Sequence, residues 1–143
     1  MPQASILTSP TATSRYAAPK PFACKWQKGG SGAAWVYVAG ELDLATASQL
    51  RQTLRDAQAY ARLVVLDLRE LAFIDSAGIH VILDASLDAR QAERRLILVR
   101  GPAQVDRVVT LTGVPGQVLI VDLAPSEAPA RALLHLAQRR AAA

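Results

Sequence analysis

The chain has a single cysteine, Cys24, so it cannot build an intrachain disulfide framework. A lone cysteine is typical of proteins in reducing compartments, and we expect a cytoplasmic location. Long apolar runs are also missing, and no stretch reaches the length of a membrane span. The N-terminus lacks the basic and apolar segments of a secretion signal. We therefore expect neither export nor a place in the membrane.

Aromatic residues and N-terminal carboxylates are scarce, which bears on nucleic-acid binding. Aromatics make up 5% of the chain, and residues 1–35 contain no Asp or Glu. The net charge of +4 comes entirely from this N-terminal stretch, because the remaining residues carry 12 Arg, no Lys and 12 Asp or Glu. A nucleic-acid interface requires a basic face with supporting aromatics. We therefore expect no direct contact with nucleic acid.

Apolar residues make up 51% of the 143 residues, which is enough for one domain with a proper core. Residues 1–20 are an exception, because they are rich in Ser, Thr, Ala and Pro and show little apolar pattern. Such a composition cannot bury much surface. The sequence therefore predicts a disordered leader over residues 1–20 and a folded domain over residues 21–141.

The apolar pattern predicts a strand hairpin, after which strands and helices alternate. The predicted strands cover residues 22–27, 35–38, 63–68, 96–99 and 118–121. The predicted helices cover residues 44–57, 77–91 and 102–112, with a fourth from residues 125–126 to about residue 140. Asp43 and Ser126 are the predicted caps of the first and last helix, and Leu44 falls on the apolar face of the first. A later start of the last helix, displaced by Pro129, stays open. This order indicates an α/β fold: a mixed sheet of about five strands, with an N-terminal hairpin and then parallel crossovers, and about four helices.

The segment Ile74-Asp75-Ser76-Ala77-Gly78 lies where a buried strand gives way to a helix. It places an exposed hydroxyl, Ser76, beside a carboxylate and at the positive end of the helix. The residues alone leave three interpretations open: Ser76 is a plain N-cap, a phosphoacceptor or a nucleophile.

Asp75, Ser76 and His80 suggest a Ser-His-Asp hydrolase, an interpretation that we reject. His80 shares a helical side with Ser76, but a triad acid must orient the base from its far side, and Asp75 adjoins the serine instead. The G-x-S-x-G signature is absent. Two His and one Cys without ligand spacing predict no metal site, and the Gly-rich turn at 28–32 lacks the setting of a phosphate loop. We therefore predict no enzymatic activity, no metal and no cofactor.

Four motifs, in order along the chain, carry a resemblance to a known family: Gly40-Glu41-Leu42-Asp43, Asp67-Leu68, Phe73-Ile74-Asp75-Ser76-Ala77-Gly78-Ile79 and Leu111-Thr112-Gly113-Val114. Together they resemble the STAS domain, and above all the bacterial anti-sigma factor antagonists, over roughly residues 22–140. The resemblance implies a small domain that binds a serine/threonine-kinase anti-sigma factor and so releases a sigma factor. Phosphorylation by that kinase would end the binding, and an upstream phosphatase would restore it.

Carried over by motif position, the resemblance makes Ser76 the phosphoacceptor, with Asp75 and Gly78 shaping its turn and Asp43 nearby. The sequence departs from the family pattern at Ala77, often a second hydroxyl residue, and at His80, commonly a small residue. Ala77 leaves Ser76 as the only hydroxyl in the turn, whereas the ring of His80 would alter docking or partner choice. The predicted partner-binding residues are Asp43, Asp75, Ser76, Gly78 and His80.

The switch implied by the resemblance is electrostatic. A phosphate on Ser76 would add about −1.5 to −2 charge beside Asp75. A partner surface matched to a neutral hydroxyl would then meet unwanted charge, without any refolding of the domain. An alternative stays open, in which the protein is a STAS-type scaffold subunit of a signalling or lipid-transport complex and Ser76 is not phosphorylated. The sequence does not decide the oligomeric state.

Overall fold

One mixed sheet of five strands organises the protein. A computed structural model describes residues 20–134 and 136. The strands are β1 (Ala23–Lys28), β2 (Ala33–Leu42), β3 (Leu63–Ile74), β4 (Arg95–Val99) and β5 (Leu119–Val121), and they neighbour one another in chain order. Strand β1 is antiparallel to β2, and all later neighbours are parallel. The predicted N-terminal hairpin followed by parallel crossovers is therefore confirmed.

Helices fill the crossovers. They are α1 (Ala47–Tyr60), α2 (Ser76–Gln91) and α3 (Ala103–Leu111), and residues 131–134 are also helical. No helix among the described residues is both long enough and apolar enough to cross a membrane. The predicted leader, apart from Lys20, and the end of the predicted C-terminal helix lie outside the described residues.

The last helix starts later than the sequence pattern indicated. Residues 125–130 form turns, and helical structure begins at Arg131, so the predicted start at 125–126 and the Ser126 cap were wrong. Pro129 disfavours helical backbone at the residue before it. The Glu127 carboxylate closes a turn by accepting a hydrogen bond from the backbone N–H of Ala124 at 2.6 Å.

The three helices pack on one face of the sheet. Their apolar side chains share a single buried cluster with alternate strand residues, such as Val36, Val64 and Leu66. The other face carries a second, smaller cluster around Trp35 and Val65, onto which Ala132 of the C-terminal segment packs. Because both faces are covered, the central strands are nearly continuous apolar runs.

A buried ion pair connects β3 to the C-terminal segment that covers the second face. Asp67 is 7% exposed, and the guanidinium of Arg69 donates to both of its carboxylate oxygens, at 3.0 and 2.8 Å. The same guanidinium donates to the backbone carbonyls of Ala124 and Glu127, at 2.6 and 2.7 Å. The hydrogen bond to Asp67 raises the pKa of Arg69, and burial together with the Asp67 charge raises the pKa of the Tyr37 hydroxyl.

Strands β2 and β3 extend beyond their apolar runs. The sequence predicted strands over 35–38 and 63–68, but β2 continues to Leu42 and β3 continues past Arg69 and Glu70 to Ile74. The pairing register shifts twice, between Tyr37 and Ala39 and between Gly40 and Glu41, and Gly40 takes a left-handed φ of 87° that favours glycine. After the two shifts the strand ends finish side by side, with Leu42 opposite Ile74.

We expect Arg69→Ala to lower the free energy of unfolding by about 3–5 kcal/mol, because the buried Asp67 carboxylate loses its partner. The variant also loses the hydrogen bonds to residues 124 and 127. Urea denaturation followed by circular dichroism measures the change. Arg55→Ala is the control, since Arg55 is exposed and forms no ion pair within the described part of the chain. It should cost less than about 0.5 kcal/mol, and equal stability of the two variants would contradict the assigned role.

Candidate functional site

The carboxyl ends of β2 and β3 place two acidic turns next to each other. Glu41 pairs with Phe73, and the backbone N–H of Asp75 donates to the carbonyl of Leu42 at 3.2 Å. Asp43 and Asp75 are the residues that follow the paired strand ends. The structure therefore brings Asp43 to the same edge of the sheet as the turn that contains Ser76.

Asp75, and not Ser76, caps helix α2. The Oδ1 atom of Asp75 accepts hydrogen bonds from the backbone N–H groups of Ala77, at 2.9 Å, and Gly78, at 3.4 Å. Ser76 is the first helical residue and its side chain is exposed. The interpretation of Ser76 as the N-cap is therefore wrong, because the neighbouring carboxylate already occupies that role. Within the described residues, no hydrogen bond engages the Ser76 hydroxyl.

Asp43 organises a turn that precedes α1. Its Oδ1 accepts hydrogen bonds from the backbone N–H groups of Ala45, at 2.9 Å, and Thr46, at 3.2 Å. The Thr46 hydroxyl in turn donates to the Glu41 carbonyl at 2.8 Å. Helix α1 begins only at Ala47, with Thr46 in the N-cap position. The prediction that Asp43 itself is the N-cap of α1 was therefore wrong, because the helix begins about one turn later.

This turn exposes a leucine that the sequence pattern assigned to the core. Leu44 was predicted on the apolar face of the first helix, but it precedes that helix and is 83% exposed. Phe73, which pairs with Glu41 at the end of β3, is 46% exposed. The sequence pattern misassigned Leu44 because it lies three residues before Ala47, and this spacing places two residues on the same face of a helix.

Gly78 acts from beneath the surface. A Cβ atom at this position would lie 2.6 Å from Cγ of Leu42 and 2.8 Å from Cγ1 of Ile74. The missing side chain thus allows the first turn of α2 to sit directly on the ends of β2 and β3. Gly78 is buried, so its contribution to the site is this close approach.

His80 lies one turn along α2 from Ser76, on the same side of the helix, and is exposed. The next residue on that side, Asp84, pairs with Arg51 of α1 at 3.0 Å. The Asp75 carboxylate bonds to backbone N–H groups at the helix start, so Asp75 does not orient the His80 ring in the manner of a triad acid. Among the described residues, no group of three or more His, Cys, Asp or Glu side chains could hold a metal ion.

Because Asp75 and not Ser76 caps α2, alanine substitutions at these two residues should differ in their effect on the free energy of unfolding. Asp75→Ala should lower the free energy of unfolding by about 0.5–2 kcal/mol, since two N–H groups at the start of α2 lose their acceptor. Ser76→Ala should change it by less than about 0.5 kcal/mol. Chemical denaturation of both variants tests the assignment, and a larger loss for Ser76→Ala than for Asp75→Ala would overturn it.

Comparison with known proteins now gives this geometry a context. The family model of the STAS domain matches residues 28–130. The anti-sigma-B factor antagonists of Listeria monocytogenes and Listeria innocua are each 32% identical to the chain over 79 residues. That stretch is 54% of this chain and 69% of each relative.

Solved structures show the same fold. The anti-sigma factor antagonist SpoIIAA in its unphosphorylated form has a TM-score of 0.64 at 21% identity, covering 77% of this chain and 96% of that one. The phosphorylated form of the Bacillus protein SpoIIAA has a TM-score of 0.60 at 21% identity, covering 77% and 99%. An anti-sigma factor antagonist from Mycobacterium paratuberculosis has a TM-score of 0.61 at 22% identity, covering 72% and 87%. From the family match and the shared sheet architecture it follows that the chain belongs to the STAS domain family.

Proposed function

We propose that this protein is an anti-sigma factor antagonist that binds a serine/threonine-kinase anti-sigma factor while Ser76 is unphosphorylated. Binding frees a sigma factor from that partner, and phosphorylation of Ser76 by the same kinase ends the binding. The observation that carries the proposal is the exposed Ser76 side chain, which the Asp75 cap leaves without a structural role. The Listeria relatives are anti-sigma-B factor antagonists, which supports an anti-sigma factor as the partner.

The position of Ser76 suits a phosphoacceptor. A kinase must reach the hydroxyl, and Ser76 points outward from the first turn of α2. Ala77 offers no competing hydroxyl in the turn. The modification therefore has one chemical target in the turn that begins α2, and replacing Ser76 removes that target.

The Asp75 cap also determines where the charge of a phosphate on Ser76 would act. An unoccupied helix N-terminus would hold an anion with its free N–H groups. Here Asp75 already accepts from Ala77 and Gly78, and it places a negative charge at the positive end of the helix. These two backbone N–H groups are therefore already hydrogen-bonded and would not be available to a phosphate on Ser76. Its charge of about −1.5 to −2 therefore stays at the surface, where a partner meets it.

The surroundings of Ser76 strengthen this effect. Glu41, Asp43 and Asp75 lie at the same edge of the sheet, so the surface is acidic before any modification. A partner that tolerates this surface has groups placed against three carboxylates and a small neutral hydroxyl. Adding a bulky dianion at the hydroxyl creates a mismatch, and mismatched charges at an interface cost several kcal/mol.

The proposed switch needs no refolding. Ser76 is at the surface, and the core beneath it, formed by Leu42, Ile74 and Gly78, does not involve its side chain. SpoIIAA offers support by analogy, because its unphosphorylated and phosphorylated forms both match this fold, with TM-scores of 0.64 and 0.60. We therefore propose a change in surface charge as the mechanism.

His80 belongs to the proposed docking surface through its position. It lies one turn from Ser76, and its imidazole provides bulk and hydrogen-bonding groups where a small residue would leave a gap. We propose that His80 contributes to partner choice. The cycle further requires an upstream phosphatase, takes place in the cytoplasm and involves neither nucleic acid nor membrane. The protein accepts a phosphate but catalyses no reaction in this scheme.

The switch predicts a clear difference between two substitutions at one residue. Ser76→Ala should bind the unphosphorylated partner kinase within about threefold of wild type, whereas Ser76→Asp should bind at least about tenfold more weakly. Isothermal titration calorimetry with the purified kinase measures both affinities. Mass spectrometry after incubation with kinase and ATP should locate the phosphate on Ser76 in the wild type and find none in Ser76→Ala.

Ser31→Asp is the matched control, because Ser31 is exposed and lies in the hairpin turn at the opposite edge of the sheet. Its left-handed backbone, with φ at 61°, is one that Asp tolerates. This variant should bind like wild type. Equal binding by Ser76→Asp and Ser31→Asp would contradict the switch. Absence of phosphate on Ser76 would instead favour the role of an unphosphorylated STAS scaffold.

A further inference from the structure

The most exposed large apolar side chain in the described part of the chain is Leu44, at 83%. Isolated apolar residues at a surface are ordinary, so exposure alone assigns no role. Leu111 illustrates this, since it is 79% exposed at the end of α3. Two features distinguish Leu44: hydrogen bonds hold the backbone of its turn, and it lies at the same edge of the sheet as Ser76.

The backbone on both sides of Leu44 is held by hydrogen bonds. Asp43 accepts from the backbone N–H groups of Ala45 and Thr46, and Thr46 donates its hydroxyl to the Glu41 carbonyl at 2.8 Å. The backbone N–H of Asp43 donates back to the Thr46 hydroxyl at 3.0 Å. A side chain presented on such a turn loses little backbone entropy when a partner binds it.

Leu44 also stands beside the proposed switch. It follows Leu42 and Asp43 at the end of β2, and Leu42 pairs with Ile74 at the end of β3. Phe73, half exposed, lies at the same edge. Two exposed apolar side chains thus lie at the edge of the sheet that also carries Ser76. An apolar centre with a polar rim is the composition of a binding hot spot.

We propose that Leu44 is the apolar anchor of docking, inserting into an apolar pocket of the anti-sigma factor that is bordered by Lys or Arg. The inference rests on the proposed function and adds the chemistry of the partner's surface. The basic border follows from charge complementarity with Glu41, Asp43 and Asp75, which lie at the same edge of the sheet as the anchor. Leu44 provides apolar contact area, and the phosphorylation state of Ser76 determines whether the partner can bind closely enough to make that contact.

Leu44→Ala and Leu111→Ala are a matched pair of variants that tests the anchor. Both remove the same atoms from an exposed leucine, but α3 runs back from the carboxyl ends of the strands, so Leu111 lies toward the opposite edge. Calorimetry against the unphosphorylated partner kinase should show at least about tenfold weaker binding for Leu44→Ala. Leu111→Ala should bind within about twofold of wild type. Leu44→Met, which preserves apolar bulk, should recover most of the affinity.

Folding of the variants is checked separately. Because Leu44 is exposed, thermal unfolding of Leu44→Ala should match that of wild type, so that a loss of binding reports on the interface. Equal affinities for Leu44→Ala, Leu111→Ala and wild type would overturn the anchor and leave the proposed function intact. Failure of the wild-type protein to bind any kinase anti-sigma factor would overturn the proposed function, and with it the partner assigned to Leu44.

Discussion

The pairing of β2 with β3 as far as Leu42 and Ile74 is the constraint on which the site depends. The hydrogen bond from the backbone N–H of Asp75 to the Leu42 carbonyl, 3.2 Å long, continues this pairing past the strand ends. Two turns, one formed after each strand, are thereby held next to each other. Without this register, the turns that carry Asp43 and Ser76 would not lie next to each other at the end of the sheet.

A division of labour between two adjacent residues follows from this arrangement. Asp75 satisfies the backbone at the start of α2, and Gly78 lets that turn sit on the strand ends. Ser76, between them, is exposed and is not the cap, so the proposed modification would leave the Asp75 cap in place. A hydroxyl that also served as a cap would couple phosphorylation to the integrity of the helix. The separation of the two tasks makes a charge switch at the surface physically reasonable.

The opposite face of the sheet is covered by the segment that follows β5. There the buried Asp67–Arg69 pair fixes the segment after β5 through the backbone carbonyls of Ala124 and Glu127. This network covers the second apolar cluster, which includes Trp35 and Val65. Covering this face completes the core and leaves the edge with Ser76 free for a partner. The network that covers the second face and the proposed docking surface around Ser76 thus lie in different parts of one sheet.

The sequence was sufficient to predict the order of the elements, because the apolar runs of the strands and the helical spacing between them are strong signals. It was not sufficient for their ends. Strand β3 continues through Arg69 and Glu70, where pairing with β2 overrides the polar pattern. Leu44 fits a helical stripe by spacing, although the turn made by Asp43 lies before the helix.

The site shows the same limit of local patterns. Two neighbouring residues, Asp75 and Ser76, are both good caps, and only the backbone geometry decides between them. The proximity of Asp43 to Ser76 came from the family resemblance, since it depends on a register shift at Gly40 that no local pattern reveals. Motif order therefore pointed to the candidate site, whereas the tertiary structure shows that Asp75 caps α2 and that Ser76 is exposed.

The account rests on a switch that changes the surface and leaves the fold unchanged. Its most direct test compares ¹H–¹⁵N NMR spectra of the protein with and without phosphate on Ser76. We predict that chemical-shift changes are confined to the turn at 43–46 and the start of α2, while core amides of β3 and β4 keep their positions. Shift changes spread through the sheet would contradict the account, because they would show that phosphorylation acts by rearranging the domain.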